Sequence, residues 1–142
     1  MSISTPEELA ALRESGRIVR LMLEAMKSAV RSGITTQELD DIGAAVMRQN
    51  GAVSGPITVY DFPGVSCISV NDEIVHGIPS GRKLRNGDLL KLDVTISKDG
   101  YMADAAESGI VGGDTITLSA IGVLRADGAR RVVSAAMHVA RA

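Results

Sequence analysis

The chain has 142 residues, room for one domain or part of a larger one, with 45% apolar residues, 23% charged residues and a formal net charge of -2. That balance carries no electrostatic footprint for nucleic acid or an anionic membrane, and an aromatic content of 2% argues against a base-stacking or carbohydrate-binding platform. The single cysteine, Cys67, rules out an internal disulfide and suits a reducing compartment.

The N-terminal stretch MSISTPEELAALRE is acidic and lacks the basic segment and apolar run of a signal peptide. No stretch approaches the roughly 18 apolar residues that cross a bilayer. A cytoplasmic protein is expected.

Thr5-Pro6-Glu7-Glu8 opens a first helix, with Thr5 as N-cap, proline at the first helical position and Glu8 completing a capping box. Leu9, Leu12, Val19, Leu23, Met26 and Val30 follow at helical spacing, and Ser32-Gly33 supplies the stop. A second helix starts at Thr35 or Thr36, with Glu38 again three residues after Thr35, and runs through Leu39, Ile42, Val46 and Met47 to Asn50-Gly51. Both read as structural helices with core-facing stripes.

Between Ala52 and Pro63 the chain is predicted to be extended, broken by Gly55-Pro56 and Phe62-Pro63-Gly64. VSCISVNDEIVH, Val65 to His76, reads as two short strands around Asn71-Asp72, or as one long strand with a bulge there. His76-Gly77-Ile78-Pro79 then leads into a Gly-, Asn- and base-rich loop, Ser80 to Asp88. A histidine at a strand end is commonly a hydrogen-bonded structural residue. His76 gains interest from its loop and from the acids that follow.

In Leu89 to Ile96 one parity is apolar (Leu90, Leu92, Val94, Ile96), while the other carries Lys91, Asp93 and Thr95, the pattern of a half-buried strand. Asp99-Gly100 has the composition of a two-residue type I′ hairpin turn. With that loop, Asp93 lies opposite Ala106 and Asp104 opposite Thr95, so the aspartates are diagonal neighbours on one face, roughly 7–8 Å apart at Cα. A three-residue loop would instead place them on opposite faces. Their bare repulsion, about 2 kcal/mol at an effective dielectric near 20, is tolerable in water and better relieved by a proton or a cation. From the residues alone they read either as solvated surface acids or as ligands bridging divalent ions.

Several stretches together resemble one family. CISVNDEIVHGIP from Cys67 to Pro79, Asn86-Gly87-Asp88, Leu92-Asp93-Val94-Thr95, Asp99-Gly100-Tyr101 and Ala103-Asp104 are similar to the first half of the type I methionine aminopeptidases, the pita-bread metallopeptidases, over roughly residues 5 to 112. Prolidase-type relatives share the aspartate pair but not, as a rule, the HGIP context. The resemblance implies an α+β chain with a partial pita-bread fold: two N-terminal helices on a mostly antiparallel sheet with a metal-binding β-hairpin. It further implies that Asp93 chelates one divalent metal ion and Asp104 bridges two, that His76 donates a hydrogen bond to the scissile peptide, and that Tyr60, Phe62 and Cys67 line a pocket for methionine. The reaction implied is hydrolytic removal of the initiator methionine from nascent polypeptides. Co, Mn, Fe and Zn are not distinguished.

The family's remaining ligands, a histidine and two glutamates, come from a second half with no counterpart here. No glutamate follows Glu107, and the one later histidine, His138, falls in Ala129 to Ala142, which reads as an amphipathic helix. The expected organisation is therefore an aminopeptidase-like half-domain, residues 1–113, and a divergent tail, residues 114–142, suggesting a truncated or frame-shifted relative with an incomplete metal site and background turnover. The alternative is a non-catalytic pita-bread module binding peptides or a partner protein. Either half-fold exposes an apolar face that implies self-association.

Overall fold

The computed structural model describes residues 3–112. Helix α1 (Pro6–Ala29) begins on the expected capping box: the Glu8 N–H donates to the Thr5 hydroxyl at 3.2 Å, and the Thr5 N–H donates to the Glu8 carboxylate at 3.1 Å. Helix α2 (Thr36–Gln49) repeats the device with Thr35 and Glu38. Each cap supplies partners for N–H groups that no helical turn can reach, an effect worth about 1 kcal/mol.

The remaining elements are β1 (Val53–Ser54), α3 (Gly55–Tyr60), β2 (Cys67–Val70), β3 (Leu89–Lys98) and β4 (Tyr101–Ile110). β3 is the central strand. β4 pairs with it from Leu89 to Lys98, while on its other edge β2 pairs with residues 90–93 and β1 with Ile96 and Ser97, all antiparallel. Asp99 (φ 51°) and Gly100 (φ 85°) form the two-residue turn, so Asp93 faces Ala106 and Asp104 faces Thr95 as the spacing requires.

The sheet has two unlike faces. Leu90, Leu92, Val94 and Ile96, none more than 4% exposed, pack with Ile18, Met22 and Met26 of α1 and Leu39 and Met47 of α2. Lys27 of α1 pairs with Glu107 of β4 at 2.6 Å, and the Ser15 hydroxyl donates to the Tyr101 carbonyl at 2.9 Å, fixing α1 along the hairpin. The result is the expected α+β arrangement of helices on an antiparallel sheet, with the opposite face of β3 left to the site.

Two local expectations fail. The stretch expected to be extended contains α3: Ser54 caps it, Pro56 occupies a first-turn position where its missing N–H costs nothing, and Asp61 ends it in the left-handed region (φ 51°). The second strand expected before His76 does not form. Asn71 (φ 59°) closes β2, its N–H donates to the Leu89 carbonyl at 2.8 Å, and its side-chain oxygen accepts from the Leu89 N–H at 2.9 Å. Ile74 and Val75 follow as exposed irregular backbone, 84% and 53% accessible. The tail division at residue 113, the helix from Ala129 to Ala142 and His138 lie outside the described residues.

Candidate metal and peptide groove

Because β3 alternates, Lys91, Asp93 and Thr95 point away from the helices. Asp93 has Cys67 beside it on β2 and Ala106 on β4, while Asp104 stands across from Thr95. The Thr95 hydroxyl donates to Asp104 Oδ1 at 2.6 Å, and the Lys91 ammonium lies 3.0 Å from Asp93 Oδ2. The carboxylates therefore share one face as diagonal neighbours.

Tyr60, Phe62, Cys67, His76, Asp93 and Asp104 all line one groove of about 670 Å³. Cys67 is a buried wall, Phe62 is half-buried, and Tyr60, 80% exposed, forms the rim. Gly55, Pro56, Val59, Thr95 and Met102 complete the lining. Thr95 was legible from its place opposite Asp104. The α3 contributors were hidden by reading Gly55-Pro56 as a break. Gly55 is needed there because a Cβ would come within 2.8 Å of Thr95 Cγ2, so its absence lets α3 sit directly on the hairpin.

The histidine loop is fixed by close backbone approach. A Cβ on Gly77 would fall 2.2 Å from the Ile68 carbonyl oxygen, and the Ile68 N–H donates to the Gly77 carbonyl at 2.8 Å. The Gly77 N–H in turn donates to the Ser69 hydroxyl at 3.1 Å. His76, at φ 56°, is a non-glycine residue in the left-handed region, a conformation that persists only where its surroundings impose it. On the other side, buried Asp40 of α2 accepts from the Val65 N–H (3.0 Å), the Ser66 N–H (2.8 Å) and the Ser66 hydroxyl (2.6 Å), setting the approach to Cys67.

Burial pushes the Asp104 carboxyl above its ordinary value, opposed by the Thr95 hydrogen bond and reinforced by the negative charge of Asp93. The residue as a whole remains exposed, so groove water limits the rise. Burial, assisted by Asp93, pushes the Cys67 thiol up to about 11, which makes it an apolar wall rather than a nucleophile.

Two carboxylates on one face supply hard oxygen donors suited to a divalent cation, and the repulsion between them favours one. Among the described residues no group of three His, Cys, Asp or Glu side chains comes together. The pair thus fits one side of a cation's ligand set.

Comparison with known proteins shows which family the chain resembles. Methionine aminopeptidase of Staphylococcus epidermidis is 47% identical over 112 residues, 79% of this chain and 45% of that protein. Methionine aminopeptidase 2 of Bacillus subtilis is 47% identical over 113 residues, again 79% of this chain and 45% of the relative. The crystal structure of methionine aminopeptidase from Rickettsia prowazekii superposes with a TM-score of 0.74 at 30% identity, covering 82% of this chain and 47% of that one. The chain thus spans just under half the length of the curated relatives it matches. Residues 10–140 match the profile of metallopeptidase family M24, and the chain belongs to that family.

Proposed function

We propose that the groove is one side of a methionine aminopeptidase active site, in which Asp93 and Asp104 hold divalent metal and the N-terminal methionine of a nascent peptide is bound for removal. The observation that supports this reading is the convergence of all six candidate residues on one groove, with both carboxylates on the same face. A divalent ion, two in a complete site, with Co, Mn, Fe and Zn all compatible, would supply Lewis acidity at the groove floor. The chain's own residues do the rest: Cys67 and Phe62 offer an apolar slot for a thioether, Tyr60 closes its rim, and His76 donates a hydrogen bond to charge developing at the scissile peptide. Removal of an initiator methionine would place the work in the cytoplasm, where nascent chains emerge.

The alternative reading, a non-catalytic peptide-binding module, draws support from the two-carboxylate ligand set. Exposed Val59, Tyr60, Ile74, Val75 and Ile78 would suit burial against a partner or a second copy. The test is a Met-Ala-Ser peptide, with and without Mn or Co, read by NMR shifts at Phe62 and Cys67 and by methionine release. Met-dependent shifts, absent with Lys-Ala-Ser, are expected, with release at background. Equal shifts for both peptides would refute the methionine pocket, and robust release lost in Asp104→Ala would refute the incompleteness of the site.

A further inference from the structure

The face of β3 that carries the aspartates also carries a cation of its own. Lys91 Nζ lies 3.0 Å from Asp93 Oδ2, with only 26% and 22% of the two side chains accessible, so the pair is more enclosed than a typical surface contact. The ladder places neutral Ser69 and Ser108 on either side of Lys91. At the other carboxylate, Asp104 Oδ1 is already engaged by the Thr95 hydroxyl at 2.6 Å. Each aspartate therefore has one oxygen committed within the chain.

We infer that Lys91 is a tethered counter-cation for the aspartate pair, which competes with a divalent ion for Asp93 and sets how readily the groove takes up metal; this rests on the reading of Asp93 and Asp104 as metal ligands. With the ammonium in place, half of the charge of the pair is neutralised. An arriving dication would meet one compensated carboxylate and a positive neighbour. Lysine suits such exchange, because its flexible stem can carry a strongly hydrated ammonium into water without moving the strand. Metal entry and lysine departure are then one event, and the metal-free hairpin avoids two facing uncompensated charges.

The experiment is calorimetric titration of the full chain with Mn alone, in wild type, Lys91→Gln, Lys91→Arg and Asp104→Asn, together with melting temperatures in chelator. Lys91→Gln should bind Mn about fivefold more tightly, the factor available from an ion pair at the upper end of partly exposed pairs, and should melt lower than wild type in chelator. Lys91→Arg, which keeps the charge, should stay near wild type in both. Binding that depends on Asp104 but is unchanged or weaker in Lys91→Gln overturns the inference and leaves the metal ligands standing, as does Lys91→Arg behaving like Lys91→Gln. Binding indifferent to Asp104 overturns the metal-site reading itself, and the role of Lys91 with it.

Discussion

Gly77→Ala tests whether the histidine loop is held by backbone proximity. The added Cβ would lie 2.2 Å from the Ile68 carbonyl oxygen and 2.7 Å from both the Ile68 carbonyl carbon and Ser69 Cα. All three are backbone atoms, so no rotamer change relieves the clash, and the loop and β2 must separate by more than about 1 Å to restore ordinary contact. That separation breaks the Ile68 N–H to Gly77 carbonyl bond and the Gly77 N–H to Ser69 hydroxyl bond. Two such bonds are worth about 1 kcal/mol each, and forced overpacking costs about 1–3 kcal/mol. A loss of about 1–3 kcal/mol follows if the loop stays docked and strained, and about 2 kcal/mol if it peels away and gives up both bonds. Against total stabilities of about 5–15 kcal/mol, either is large. Urea unfolding measures the loss, and amide exchange at Ile68 reports whether the loop has left. Gly81→Ala is the control, since a Cβ there meets nothing within 4 Å. A Gly77→Ala protein within about 0.5 kcal/mol of wild type, with the Ile68 amide still protected, would refute the reasoning.

Further outcomes concern buried ionisable groups. With its thiol pushed up to about 11, Cys67 should resist Ellman's reagent at pH 8 until urea unfolds the chain, and rapid labelling of the native protein would contradict this. Because an unfolded chain releases that proton first, near pH 9, stability should also decline between about pH 9 and 11. Burial raises the Asp40 carboxyl above its ordinary value of 3.8 despite the bonds from Ser66 and Val65. The native state therefore holds that proton more tightly than the unfolded state does. The stabilisation from protonated Asp40 is full below 3.8 and is lost as pH rises through the elevated native value. Asp40→Asn should flatten that acid-side slope and, with one acceptor oxygen left for three donors, cost about 1–3 kcal/mol at neutral pH. Unchanged slopes in pH-stepped urea titrations would count against it.

Legibility followed the range of the interactions involved. The capping boxes at Thr5 and Thr35 and the Asp99-Gly100 turn are decided within three or four residues, and each formed as spelled. The alternation of β3 is equally local, and with the turn it fixed the register that brings Asp93 and Asp104 to one face. Val53 and Ser54 are extended as expected, but Gly55 to Tyr60 is not, because Gly55-Pro56 can break a strand or start a helix. The Ser54 cap favours the helix locally, and the bare Gly55 lets it sit against Thr95, forty positions away. Ile74 and Val75 have strand-forming chemistry but no partner strand among the described residues, so composition misled there. Asp40 was hidden for a related reason: on α2 it looked like one more helical acid, and only the packing of Val65 and Ser66 beneath it shows its task.

The two unlike faces of β3 mean that neighbouring residues answer to different demands. Leu90, Leu92, Val94 and Ile96 are held by the helices, while Lys91, Asp93 and Thr95 are held by nothing in the core. Variation in this strand is therefore sorted position by position. A library randomised across it should show protein abundance rising and falling at every second codon, with ligand binding following the opposite beat. The alternate positions can be retuned for a different ion or peptide without entering the helix-facing interior, with Thr95 bounded in size by Gly55 of α3.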